Sequence, residues 1–362
     1  MPTGRWTRFE LKWKPCWPTG WSGAVAERLP WHEPLWGQLQ SRRAAGRLPH
    51  AWLLAGPEGL GKRVFARRLA AALLCEAPES AGDACTRCRA CHLFQAGSHP
   101  DYRAVQPSEE GKAIKVDQIR ELSDFLGFTA QYGRHKIAVL EPADRLNVNA
   151  ANSLLKTLEE PPGNSLLVLV ASQAARLPAT VRSRCQKLRF EPPPVGETLP
   201  WLKSRIAAGL EAQILLEVAG GAPLAALALA DPPRWNRRRH LIDSYDRVLS
   251  GTTDPVRAAE TWGQGDLAEN LRWLVGWHSD LIRLKMSSGS PRLGNPDLRA
   301  LLRRWADRWS ARELFERLDS AVRLSVLCAT SQVNAQLSLE VFFGDGAEGV
   351  GSGRSSPPVI EG

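Results

Sequence analysis

The 362-residue chain predicts an α/β domain built on a parallel sheet, followed by an all-helical region. Three observations carry that expectation. Short apolar strands alternate with helical patterns over the first 160 or so residues. A glycine loop joins one such strand directly to a helix. Past Pro192-Pro193-Pro194 the strand signals vanish. Strands separated by helices build parallel sheets, because a parallel crossover needs a connection of about helix length.

In chain order, a helix is expected over 33–45, then an apolar strand over 51–55. After the glycine loop, Phe65, Leu69, Ala72 and Leu73 recur at helical spacing. A short strand is expected over 102–105. Asp117 is expected to cap a helix with the apolar stripe Ile119, Leu122, Phe125 and Leu126. A strand over 136–140 leads to a helix over 150–160, which Pro161 and Pro162 stop. The run 166–171 is continuously apolar, as a strand buried on both faces requires, and 186–190 supplies one more strand. Helical patterns then cover 199–229 and 234–343, and no internal repeats are visible.

Hydrophobic residues at 43% and charged residues at 23% exclude disorder throughout, collagen-like repeats and a disulfide-stapled miniature fold. The balance of 47 basic against 38 acidic residues gives a net charge of +9. That favours an anionic partner such as nucleic acid, although an arginine-rich basic set also fits a GC-rich genome. Seven cysteines, four of them within 17 positions, read as metal binding in a reducing cytosol. No apolar run approaches the ~18 residues of a membrane span. Lys12, Lys14 and Pro15 interrupt any signal-peptide core, so a cytoplasmic protein with no membrane partner is expected. Residues 1–28, with Trp6, Trp13, Trp17 and Trp21, read as a disordered extension, an upstream start codon, or a Trp/Lys peptide that touches DNA or membrane. Residues 344–362 read as a flexible tail.

Gly56-Pro57-Glu58-Gly59-Leu60-Gly61-Lys62-Arg63 follows a strand and opens a helix, the setting of a phosphate-binding P-loop. Lys62 would reach the β- and γ-phosphates. The final position should be Ser or Thr, to hold Mg²⁺, and is Arg63 instead. A P-loop ATPase also ends a second strand in Asp, often with a Glu after it; here Glu141 is followed by Pro142, which cannot act as a base. Two defects at one reaction centre point to a retained fold and lost catalysis.

Cys75, Cys85, Cys88 and Cys91 form the pattern C-x9-C-x2-C-x2-C. Four thiolates satisfy tetrahedral Zn²⁺ with no open position, so the site would be structural. His92 is the obvious substitute ligand, and an iron–sulfur cluster is the alternative occupant. Arg182-Ser183-Arg184-Cys185 follows an apolar strand. Spacing alone reads it as a solvated basic loop; a neighbouring P-loop subunit could also receive such an arginine at its γ-phosphate. The basic run Arg234-Trp235-Asn236-Arg237-Arg238-Arg239 reads as a solvated helix face, or as a surface near DNA or a partner.

Leu154-Leu155-Lys156-Thr157-Leu158-Glu159-Glu160-Pro161-Pro162, the four-cysteine insertion, His99-Pro100-Asp101-Tyr102 and Ser183-Arg184-Cys185 together resemble the bacterial clamp-loader family of AAA+ proteins. The departures at Arg63 and Pro142 resemble its delta-prime type, not the ATP-hydrolysing gamma/tau type. Leu224, in Gly221-Ala222-Pro223-Leu224, stands where the sensor-2 arginine would be. The resemblance covers about 30–343. It implies an AAA+ α/β domain over 29–192 with a zinc module at 75–91, a helical lid over 193–232 and a helical collar over 233–343.

It further implies a subunit of the DNA polymerase III holoenzyme with no ATPase activity of its own. Such a subunit acts as a rigid stator in a ring with delta and gamma/tau subunits, which places a sliding clamp on primed DNA. Arg184 would act in trans on a neighbour's ATP, and Gly56, Gly59, Gly61 and Lys62 would face a nucleotide. Whether ATP or ADP occupies that loop stays open, since Lys62 favours binding and Arg63 could serve as a built-in cation. Two other readings compete: an autonomous ATPase with an unusual magnesium site, and a zinc-bearing DNA-binding module.

Overall fold

The computed structural model describes residues 28–109, 112–132, 135–330 and 334–348. The Trp-rich stretch and the last residues of the tail lie outside them. The chain divides into two compact units. In the first, chain order is α1 (Glu33–Ala44), β1 (Ala51–Ala55), α2 (Lys62–Leu74), α3 (Arg89–Gln95), β2 (Tyr102–Val105), α4 (Val116–Gly127), β3 (Lys136–Leu140), α5 (Val148–Glu159), β4 (Ser165–Ala171), α6 (Ala179–Ser183) and β5 (Gln186–Arg189).

The five strands are all parallel, in the order β2-β3-β4-β1-β5. β4 is buried at every position, as its unbroken apolar run demands. On one face of the sheet, Ile119 and Leu122 of α4 and Leu154 and Leu158 of α5 pack against Leu53, Leu140, Leu167 and Leu169. Strand alternation sends Trp52 and Leu54 to the other face. α2 packs on β1 and β4, and its Phe65 meets the rings of His32 and Trp36 edge-on at 5.4 and 5.7 Å.

Three details differ from the sequence expectation. Asp117 does not cap α4; Lys115 holds that position, its N–H donating to Gln118 Oε1 at 3.1 Å, while Asp117 pairs with Arg120 within the first turn. The short helices α3 and α6 carry no apolar period long enough to announce them. The helix that ends the described chain runs on through Glu348, into the stretch expected as tail.

The second unit holds the loop segment 57–60 and everything from Phe190 onward. Its helices are α7 (Val195–Lys203), α8 (Ala212–Val218), α9 (Pro223–Leu229), α10 (Pro232–Leu249), α11 (Pro255–Gly263), α12 (Leu267–Met286), α13 (Arg299–Ala306), α14 (Ala311–Thr330) and α15 (Ala335–Glu348). Tyr245, Trp262, Trp277, Trp305 and Phe343 form a buried aromatic cluster. The Tyr245 hydroxyl meets His278 Nε2 at 3.1 Å. Among the described residues no single helix is long and apolar enough to cross a membrane.

Candidate functional site

The glycine loop has the backbone of a P-loop. Gly59 and Gly61 take φ of +78° and +84°, a region that side chains resist. A Cβ on Gly61 would also stand 2.5 Å from Leu29 Cδ1. Gly61 is the N-cap of α2, so Lys62 and Arg63 open that helix.

The loop's polar groups meet other groups of the chain. The buried Lys62 amine donates to its own loop's Gly56 carbonyl at 2.6 Å. Within the second unit, the Leu224 N–H donates to the Gly59 carbonyl at 3.0 Å, and a Cβ on Gly59 would lie 2.5 Å from Ala225 Cβ. Arg63 forms an ion pair with Glu141, the residue that follows β3. Burial pushes the Glu141 carboxyl above its ordinary range, and the Arg63 guanidinium draws it back down. A guanidinium therefore faces the one acid left at the positions where a P-loop ATPase holds magnesium.

At the far end of α2, the four predicted cysteines come together. Cys75 is the helix C-cap and Cys88 the N-cap of α3, its sulfur accepting from the Cys91 N–H at 3.4 Å. All four sulfurs lie within 4.8 Å of one another, with Cys75 and Cys88 at 3.9 Å. Zn–S bonds of ~2.3 Å in a tetrahedron put sulfurs about 3.8 Å apart, so the set can hold a metal such as zinc. His92 is exposed and outside the cluster. The backbone N–H of Arg87 draws the Cys85 thiol down to about 6.

A buried ion-pair network ties this module to α1 and α2, and nothing in the sequence pointed to it. Arg68 of α2 donates from Nε and Nη2 to both oxygens of Asp83, at 2.6 and 2.9 Å. Its Nη1 reaches Glu33 of α1 at 2.8 Å, and the guanidinium lies 4.1 Å from the centre of the Trp36 ring. Arg68 and Asp83 are both 2% exposed.

Arg184 follows α6 and is partly exposed. Its Nη2 pairs with Glu159 Oε1 at 2.5 Å and its Nη1 donates to the Thr180 carbonyl at 3.0 Å. Among the described residues these are its polar partners; none belongs to the glycine loop. Ser183 Oγ also donates to the Thr180 carbonyl, and Cys185 is buried, its thiol pushed up to about 11. Asp101 of the His-Pro-Asp-Tyr motif accepts from the N–H groups of Gln131 and Tyr132 at 2.8 and 2.7 Å, so it fixes a loop. The basic run 234–239 is solvated only in part: Asn236 and Arg239 are exposed, while Arg234 and Arg237 pair with Glu269 and the fully buried Arg238 pairs with Asp297 at 2.6 Å.

The family model described as DNA polymerase III, delta subunit, matches residues 31–194, and that of its C-terminal part matches 232–343. The DNA polymerase III subunit delta' of Pseudomonas aeruginosa is 38% identical over 288 residues, 78% of this chain and 86% of that one. The subunit of that name from Escherichia coli is 34% identical over 287 residues, 79% of this chain and 84% of that one. The Bacillus subtilis subunit tau is 33% identical over 154 residues, 42% of this chain and 26% of that one. A P-loop on a five-stranded parallel sheet, followed in the chain by a helical region, defines the chain as a AAA+ protein of DNA replication. It belongs to the delta-prime family, subunits of the DNA polymerase III clamp-loader complex.

Proposed function

We propose that this chain is a non-hydrolysing stator of the clamp loader, which completes a neighbour's ATP site with Arg184. The observation that carries the first half is the Arg63–Glu141 ion pair. Hydrolysis at a P-loop needs a metal between loop and acid and a base for water. Here the acid is held by an arginine and the next residue is Pro142. The Lys62 amine, bonded to Gly56, has a partner inside the loop.

Supplying a cation in trans needs no hydrolysis of one's own. Exposure supports Arg184 in that role: its partner Glu159 is itself half-exposed, and surface pairs of this kind are worth at most about 1 kcal/mol. Exchange of that carboxylate for a γ-phosphate of higher charge is then favourable. The partners proposed are the gamma/tau and delta subunits, with the sliding clamp and primed DNA reached through the complex, in the cytoplasm. The zinc ion proposed for Cys75, Cys85, Cys88 and Cys91 is structural, since four thiolates leave no open position. The domains proposed are the AAA+ unit over 29–192, a lid over 193–232 and a collar over 233–343.

The test is steady-state ATP hydrolysis on primed DNA with gamma/tau, delta and clamp. The chain alone is expected to give no turnover, and the mixture to be stimulated by wild-type chain. Arg184→Ala in the mixture is expected to lose turnover by roughly 10³-fold, the scale of an arginine finger. Turnover by the chain alone would make it an autonomous ATPase instead.

A further inference from the structure

Neither site uses the cavity between α10 and α11. It has a volume of about 340 Å³. His240, Ser244 and Arg247 enter it from one face of α10, at i, i+4 and i+7. Thr253 comes from the connecting loop, and Arg257 and Thr261 from successive turns of α11. Every one of these side chains can donate a hydrogen bond, and no carboxylate lines the cavity.

Two of the nearby acids are committed elsewhere, and Asp243 and Glu260 do not line the cavity. Asp254 caps α11 through the Val256 N–H at 2.8 Å, and Asp246 binds Arg304 and the Trp305 indole. Arg257 has no ion pair among the described residues, and Arg247 spends only its Nε, on the Asp243 carbonyl at 3.2 Å. Ser244 adds a neutral donor: the residue is 6% exposed and lines the cavity between the two arginines' helices.

We propose that this cavity binds a phosphoryl oxyanion. Two guanidinium forks match its oxygens in pairs, and the serine hydroxyl accounts for a third contact. The phosphodiester of a single-stranded DNA backbone and free phosphate share this chemistry. The inference goes beyond the stator reading and does not involve Arg184 or hydrolysis, so either can fail without the other.

The test uses the full chain and two probes: fluorescein-labelled oligo(dT), followed by anisotropy across a salt series, and inorganic phosphate, followed by thermal melting and by competition with the oligonucleotide. The double variant Arg247→Gln/Arg257→Gln is expected to weaken binding roughly tenfold and to lower the slope of log affinity on log salt by about two. Ser244→Ala is expected to weaken it about threefold with the slope unchanged, since a neutral donor releases no counterion. Arg239→Gln changes charge on the same helix outside the cavity and is expected to bind as wild type. Binding of oligo(dT) without phosphate competition assigns the site to a phosphodiester; binding of phosphate alone assigns it to the free ion. Binding of neither probe, or an equal loss in Arg239→Gln, overturns the proposal.

Discussion

The two ends of α2 treat their sequence motifs in opposite ways. At its C-terminus four cysteines converge, with sulfurs all within 4.8 Å, and the motif's chemistry is intact. At its N-terminus the glycine loop keeps its left-handed turns, while Lys62 and Arg63 bond to the chain's own Gly56 and Glu141. The difference lies in what each motif asks of its residues. A closed metal site needs only four donors within reach of one point. A nucleotide site needs donors that can turn to the ligand, and here Lys62 and Arg63 bond within the chain.

The largest effect expected is loss of the metal. Structural zinc contributes on the order of 10 kcal/mol of binding free energy to the folded form. Cys88→Ser is expected to abolish stoichiometric metal by atomic emission, to lower the melting temperature, and to open the stretch 76–90 to proteolysis. Unchanged metal content and melting in that variant would put the two ends of α2 on an equal footing.

Next comes Arg68, which joins the cysteine module to α1 and α2. Arg68→Met would leave Asp83 charged and buried without its bidentate partner. Removing one partner of such a pair costs about 3–5 kcal/mol. Urea denaturation is expected to show that loss, and Arg68→Met/Asp83→Asn to recover part of it. Equal stability of the single and double variants would mean that Asp83 is held by Arg28, which reaches it at 2.9 Å.

The sheet was legible because each strand is a short apolar run with its own helix, and the cysteine site because its donors are close in sequence. What escaped the sequence is what forms only across distance. Arg68 lies 35 residues from Glu33 and 15 from Asp83, and no local period marks their meeting. The arginines at 234, 237 and 238 look solvated in sequence, yet Glu269 and Asp297 lie beside them in the fold. Glu159 as the partner of Arg184 escaped likewise, although both belong to motifs that the sequence did reveal.

The smallest effect, and the sharpest probe of the comparison, is Arg63→Ser. It restores a hydroxyl at the metal position and removes the cation from Glu141. That carboxyl's folded pKa already lies above the ordinary value of 4.5, through burial, and would rise further without Arg63. A raised folded pKa means that the folded state holds the proton longer than the unfolded one. The variant's deficit is then absent below pH ~4.5 and opens as pH rises through the folded value. By pH 7 it should reach about 1 kcal/mol, within the range for a half-screened pair, with wild type falling less steeply across the same window because Arg63 holds its carboxyl lower. Magnesium with ATP is expected to narrow the gap by occupying the restored position, while turnover stays at background because Pro142 offers no base. A deficit that is equal at pH 5 and pH 7 would mean that Arg63 matters to packing alone and that Glu141 never needed its charge.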